Sequence, residues 1–262
     1  AGAYSGWQEA LYLRRGQLAW DSMILAADAG NTRIKWGLHD GGVWLEKGWS
    51  NTADSARLSD AWSGISAPGQ IVVSNVAGPA VRNQIELACK RWPVEIQWIK
   101  ATDCQCGVRN GYENFSQLGS DRWAALIAAR SMLHEACIVA NVGTAMTVDA
   151  LSSDGVFMGG IIVPGLMAMR SALAESTAAI EVSGGSFKAF PGNTADGVYS
   201  GALSAMAGAV ERMAEELHRA QGQPPSQILS GGDAESLLPL LSGNAMMVDN
   251  LVLEGLIRIA LA

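Results

Sequence analysis

One short device occurs twice in this chain at a constant offset. Asp28-Ala29-Gly30-Asn31-Thr32 follows the apolar run Met23-Ile24-Leu25-Ala26-Ala27, and Asn141-Val142-Gly143-Thr144-Ala145 follows Cys137-Ile138-Val139-Ala140. Asp28 to Asn141 and Gly30 to Gly143 are both 113 positions apart. Each copy leads into a second strand-like run, a glycine turn (Asp40-Gly41-Gly42; Asp154-Gly155) and a third strand-like run. The pattern predicts two related halves, each with a tight Gly/Thr turn at a strand end. Two such turns facing one another would hold a nucleotide's phosphates. A P-loop or a dinucleotide fingerprint sets its glycines between a strand and a helix. Here each turn lies between two strands, which predicts a hairpin-based phosphate cradle instead.

Composition allows this. At 262 residues, with 49% apolar and 16% charged, the chain is long enough for a large core and two lobes. A net charge of −7 and a pI near 5.0 argue against broad nucleic-acid binding, which needs a basic surface. They do not exclude an anionic ligand, because a nest of backbone N–H groups holds phosphate on an acidic protein. Cys104 and Cys106 are the only close pair of Cys89, Cys104, Cys106 and Cys137, at a spacing that fits neither a zinc finger nor a redox motif. Reduced thiols in a cytoplasmic protein are expected. His39, His134 and His218 are too scattered for a multi-histidine metal site. No apolar run approaches bilayer-spanning length, so no membrane partner is expected. Met23 reads as a start and residues 1–22 as an N-terminal extension or tag.

The first lobe is expected over 23–118 and the second over 119–262, with the final helix packing across both. Strands are expected at Ile24–Ala27, Arg33–Leu38, Val43–Gly48, Gln70–Ser74 and Val94–Ile99, with helices at Asp54–Ser63 and Pro79–Lys90. Thr102–Gln117 reads as a loop. Ser120–Leu133 reads as a helix capped by Ser120. Strands then recur at Ile138–Asn141, Met146–Leu151, Val156–Val163, Gln227–Ser230 and Ala245–Val248. Helices are expected at Leu166–Ala179, Thr194–Leu217, Ala234–Leu241 and from Asn250. Gly197, Gly201 and Gly208 in the long helix would permit close packing.

These residues resemble the type III pantothenate kinases. Asp28-Ala29-Gly30-Asn31-Thr32-Arg33-Ile34-Lys35 resembles their first phosphate motif. Gly119-Ser120-Asp121-Arg122 resembles their Gly-x-Asp-Arg motif, and Gly143-Thr144-Ala145 with Thr147 and Asp149 their second phosphate motif. Gly159–Gly165, Ser230–Asp233 and Asn250–Leu256 are similar to further family segments, so the likeness runs from Met23 to the end. The resemblance implies an α/β fold of two ribonuclease-H-like lobes, as in actin, sugar kinases and heat-shock ATPases. It implies ATP-dependent phosphorylation of pantothenate to 4'-phosphopantothenate, which opens coenzyme A synthesis. A homodimer, Mg²⁺ with ATP, and a monovalent cation (K⁺ or NH₄⁺) are implied too.

On that resemblance Asp28 holds hydrated Mg²⁺, although a lone Asp there also reads as a turn former. Gly30 admits a close anion, Asn31 and Thr32 donate to phosphate, and Lys35 supplies a compact positive charge. Gly143, Thr144 and Thr147 form the second cradle. Asp121 is the base for pantothenate's primary hydroxyl, where an acidic residue in a first helical turn otherwise serves the helix dipole. Tyr112, Gly119, Ser120, Arg122 and Thr194 resemble substrate-binding positions. Thr194 reads equally as a helix cap, and Tyr112 as a loop aromatic over the core. Asn141 stands where many relatives carry an Asp linked to the monovalent cation, and Phe115 where Pro is frequent. Two other readings on the same fold are a non-catalytic accessory regulator of transcription and a different phosphotransferase or phosphatase. The acidic charge argues against the first, and Tyr112 with Gly119–Arg122 against the second.

Overall fold

The computed structural model describes residues 23–177 and 184–262. Residues 1–22 and the last two residues of the helix expected over Leu166–Ala179 lie outside them.

The run Ile24–Ala29 is buried along almost its whole length because it forms an inner strand, β1, with a neighbour on each side. It pairs antiparallel with β2 (Arg33–His39), which pairs antiparallel with β3 (Trp44–Asn51). On its other side β1 runs parallel to β4 (Gln70–Asn75), and β4 parallel to β5 (Ile96–Trp98). The order is β3-β2-β1-β4-β5. The expected helix at Asp54–Ser63 is instead a 3₁₀ turn over Thr52–Arg57 followed by the short α1 (Leu58–Ala61). Asp54 has non-helical torsions, and among these residues Leu58 is the buried anchor. Helix α2 (Pro79–Cys89) starts with proline in its first turn and buries Val81, Ile85, Ala88 and Cys89. Its face joins a core in which Trp62 stacks on Trp92 at 6.3 Å and meets Trp36 edge-on at 6.4 Å.

The segment expected as a loop over Thr102–Gln117 contains a hairpin, β6 (Cys104–Gln105) and β7 (Val108–Asn110). Its turn is Cys106-Gly107, with positive φ at both residues (49° and 76°). Such a turn matches the twist of a two-residue hairpin. Helix α3 (Ser120–Met132) precedes β8 (Cys137–Val142), β9 (Ala145–Leu151) and β10 (Val156–Pro164). Then follow α4 (Leu166–Ser176), α5 (Thr194–Gln221), β11 (Ser226–Ser230), α6 (Ala234–Leu237), β12 (Ala245–Met247) and α7 (Leu251–Ala260). The second sheet runs β12-β11-β8-β9-β10-β7-β6. Helix α6 is shorter than expected and gives way to a 3₁₀ turn over Leu238–Leu240, where Pro239 lacks an N–H. Helix α5 is continuous through its glycines and ends at Gly222 in the left-handed conformation. A Cβ on Gly197, Gly201 or Gly208 would meet nothing among the described residues, so the expected close packing there is not found.

The internal repeat extends to fine detail. Read as β10-β9-β8-β11-β12, five consecutive strands of the second sheet match the first sheet in order and direction. The alternation of buried and open positions is identical in β1 and β8, and identical again in β2 and β9. Even the β-bulge recurs: the register slips at Leu38/His39 against β3 and, at the corresponding place, between Phe157 and Gly159 of β10.

Two compact units result. Among the described residues, one comprises 23–100 with Gly119–Ala124 and Val252–Ala262; the other comprises Ala101–Leu118 with 125–177 and 184–251. In the first, α7 is held by the Trp44 indole N–H, which donates to Glu254 Oε1 at 2.7 Å. Gly255 is needed there, because a Cβ would strike the backbone of Ala124. All four cysteines are free, and burial pushes the Cys89 and Cys137 thiols up to about 12. Among the described residues no helix is long and apolar enough to cross a membrane, and no three His, Cys, Asp or Glu side chains gather as metal ligands.

Candidate active site

In the first unit, Asp28 ends the apolar part of β1 and lies directly across the ladder from Lys35 on β2. Its other neighbour in register is Ser74 on β4. The carboxylate is half-buried, and its Oδ1 is shielded from solvent with no hydrogen-bond partner. Burial pushes the Asp28 carboxyl up to about 7, and the negative charge of Asp121 adds to this. Lys35 and a hydrogen bond from Ser74 pull the other way.

Asp121 stands in the first turn of α3, and its Oδ1 accepts the Arg122 backbone N–H at 2.8 Å. Arg122 is buried. The sequence makes Ser120 the cap of this helix, and the structure does not. The Ser120 hydroxyl meets that of Ser74 at 2.9 Å, and the first turn closes from Trp123 N–H to Gly119 C=O instead. Ser74 therefore touches both the Asp28 strand end and the start of α3. A Cβ on Gly119 would press on the Asp121 carboxylate and displace it. Asn31 and Thr32 are exposed at the tip of the turn, and Gly30 N–H donates to Arg33 C=O at 3.0 Å across it.

In the second unit the corresponding turn is one residue shorter, since Lys35 to Thr147 is 112 positions where Asp28 to Asn141 is 113. Asn141 faces Thr147 across the ladder, as Asp28 faces Lys35, and Ser230 stands where Ser74 does. Ser230 Oγ accepts the backbone N–H of Leu251, the first residue of α7, at 3.3 Å. Two glycines close on the Gly143-Thr144 turn. Gly165 N–H donates to Thr144 C=O at 3.0 Å, and a Cβ on Gly165 would collide with the carbonyl oxygens of Gly143 and Thr144. Gly231, at φ 106°, lies against the Val142 backbone, and Asp233 N–H donates to Val142 C=O at 3.2 Å. The segments Gly159–Gly165 and Ser230–Asp233 thus converge on one turn. Asp149 is buried in β9, away from the turn's exposed tip.

Tyr112 follows β7 and packs on Phe157 with ring centroids 5.0 Å apart. Its N–H donates to Asn110 Oδ1 at 3.1 Å, and Phe115 beyond it is exposed. Thr194 is exposed at the start of α5, but it is not the cap. Asn193 is, its side chain accepting the Asp196 N–H at 2.9 Å. Ser74 was not anticipated. A single serine ending an apolar strand carries no motif, and only the parallel register of β4 against β1 brings it to Asp28.

The chemistry of this donor set suits a cation with phosphate. A shielded carboxylate oxygen without a partner is costly unless a cation, or a water bound to one, satisfies it. A lysine one strand away adds a positive charge, and a second carboxylate stands in the first turn of α3.

Comparison with known proteins gives the same family along most of the chain. A family model described as type III pantothenate kinase matches residues 24–216. The type III pantothenate kinase of Nitrosospira multiformis is 50% identical over 238 residues, spanning 91% of this chain and 91% of that one. That of Nitrosomonas eutropha is 46% identical over 244 residues, spanning 91% and 95%. Among solved structures, a Campylobacter jejuni protein described as a Baf family transcriptional activator aligns with a TM-score of 0.60 at 19% identity, over 90% of this chain and 96% of that one. A Sinorhizobium meliloti protein described as a 2-dehydro-3-deoxygalactonokinase aligns with a TM-score of 0.56 at 16% identity, over 90% and 98%. These two likenesses carry the α/β fold and nothing about activity.

Proposed function

The chain belongs to the type III pantothenate kinase family, and we infer from that membership that it transfers the γ-phosphoryl group of ATP to the primary hydroxyl of pantothenate. The observation that carries the reading at the level of residues is that Lys35, Asp121 and Ser74 all act on the Asp28 carboxylate within one unit. The transition state of phosphoryl transfer is loose, so the protein's task is to position the groups and offset charge.

Asp121 takes the hydroxyl proton and orients the oxygen for in-line attack. Lys35 and the turn residues Gly30, Asn31 and Thr32 hold phosphate oxygens on the first hairpin. Gly143, Thr144 and Thr147 do so on the second. Kinases of this kind use ATP with a divalent metal. Asp28 fits Mg²⁺ through bound water, its unpartnered Oδ1 gaining a donor there, and the metal offsets phosphate charge when bound. Arg122 suits the carboxylate of pantothenate, because its planar fork binds two oxygens at once. Gly119, Ser120, Tyr112 and Thr194 are assigned to the same substrate.

Asn141 offers an uncharged oxygen to K⁺ or NH₄⁺, so the demand for a monovalent cation is set lower than an Asp would set it. A homodimer in the cytoplasm, with neither nucleic acid nor membrane as partner, completes the proposal. The accessory-regulator reading has no observation in its favour. The test is pantothenate-dependent release of ADP by the parent chain and by Asp121→Asn. Turnover by the parent, and its collapse in the variant, support the reading. A folded parent that consumes no ATP when pantothenate is added, with or without K⁺, overturns it.

A further inference from the structure

The two phosphate turns are each fastened by the residue that follows the third strand of the hairpin unit. In the second unit that residue is Gly165, and its N–H donates to Thr144 C=O at 3.0 Å. In the first it is Thr52, 113 positions earlier, and its N–H donates to Thr32 C=O at 2.9 Å. The two bonds are the same bond in the repeat. What differs is the side chain. A Cβ at Gly165 would run into the carbonyl oxygens of Gly143 and Thr144. At Thr52 a side chain is present, and its hydroxyl donates to Gly30 C=O at 2.6 Å.

This difference follows from turn length. β1 and β2 leave four residues, Gly30–Arg33, between their last paired positions Ala29 and Ile34. β8 and β9 leave three, Gly143–Ala145, between Val142 and Met146. An extra turn residue brings backbone freedom that must be removed, at roughly 1–2 kcal/mol per residue, before a ligand meets a fixed geometry. The shorter turn is held by close backbone contact. The longer one is held at two points by Thr52.

Those two points fix two peptide planes. In a trans peptide the C=O of one residue and the N–H of the next point in opposite directions. With Gly30 C=O drawn toward the Thr52 hydroxyl, the Asn31 N–H is turned away from Thr52 at an exposed position. With Thr32 C=O held by the Thr52 N–H, the Thr32–Arg33 plane is set as well. The arrangement orients a backbone donor at the tip of the turn.

We propose that Thr52 is a positioning residue for ATP: its hydroxyl locks the Gly30–Asn31 peptide so that the Asn31 N–H is presented to phosphate. The proposal rests on the phosphate-binding role given above to this turn. The test compares Thr52→Val, which removes the hydroxyl and keeps the branched shape, with Thr52→Ser, which keeps the hydroxyl. The readouts are Mg–ATP binding by calorimetry and the separate KM values for ATP and pantothenate. Loss of one well-placed hydrogen bond predicts about tenfold weaker ATP binding in Thr52→Val. The serine variant is expected within about twofold of the parent, because the rescuing group is the hydroxyl itself. The KM for pantothenate is expected to be unchanged in both. Thr52→Ala serves where the valine variant does not fold. ATP binding at parental strength without the hydroxyl, or equal weakening with serine, overturns the proposal. A parent that binds Mg–ATP and leaves pantothenate unphosphorylated defeats the functional reading alone, and the calorimetry still decides Thr52.

Discussion

The hairpin that starts at Asp28 and the one that starts at Asn141 share strand order, burial pattern and a β-bulge at the corresponding place. They differ in charge. The cross-strand pair at the first turn is Asp28 with Lys35; at the second it is Asn141 with Thr147. The serines beside them also differ in their attachments. Ser74 joins Ser120 at the start of α3, whereas Ser230 accepts the N–H that starts α7. The repeated scaffold supplies two phosphate turns, and side chains then divide the work. Ionisable groups gather on the first copy, where Asp121 also lies. The second copy keeps neutral donors on a turn fixed by glycine contacts. Duplication accounts for the frame, and substitution at a few register positions accounts for the chemistry.

The largest expected effect of breaking this division is in Asp121→Asn. Removing the proton acceptor should lower kcat by about 10²–10⁴-fold with little change in KM for ATP, measured by steady-state kinetics. Next is Asp28→Asn. In metal-free buffer the parent's Asp28 stays protonated in the folded protein up to about pH 7, while in the unfolded chain it ionises near its ordinary value of 3.8. Below about pH 4 both states hold the proton and the group contributes nothing to the pH dependence. Between these values the unfolded state alone gives it up, so the parent loses stability as pH rises and stays at the lower level above 7. The Asn variant should lack this decline. At pH 8 it is expected to unfold at higher urea, by about 2–4 kcal/mol, with activity abolished. A parent and variant with parallel profiles would contradict the shielding of Asp28.

A smaller effect separates the two fastening residues. Gly165→Ala drives a Cβ into backbone carbonyls and should cost about 2–3 kcal/mol in a urea melt. Thr52→Ala removes one hydrogen bond and should cost about 1 kcal/mol. Equal costs would mean that the turns are not fastened differently. The smallest effect is in Asn141→Asp, which adds a charge to the neutral copy. It should increase the stimulation of activity by K⁺ by a few-fold without changing KM for pantothenate.

Much of the frame was legible in sequence, because β1 and β8 are inner strands whose apolar runs end at a Gly turn. The hairpin at Cys104–Asn110 was not read, since its strands are two and three residues long and carry no periodicity. Its one signal was a glycine after Cys106, where a two-residue turn needs positive φ. Residue type alone makes Ser120 a cap, and Thr194 equally a cap or a substrate contact. The structure gives the Ser120 hydroxyl to Ser74, and the cap of α5 to Asn193, one position earlier. Asp28, Lys35 and Asp121 were legible as a set only through the resemblance. The pairing of Asp28 with Lys35 follows from the hairpin, but the approach of α3 depends on packing that no local pattern encodes. The grouping of Val252–Ala262 with the first unit depends on tertiary contact in the same way.

The most direct test of the account is ³¹P NMR of the parent chain with ATP, Mg²⁺ and pantothenate. The account predicts a phosphomonoester resonance that grows in step with ADP, and that is absent when Asp121→Asn replaces the parent. ATP left intact, or hydrolysed only to inorganic phosphate by a folded parent, would contradict it.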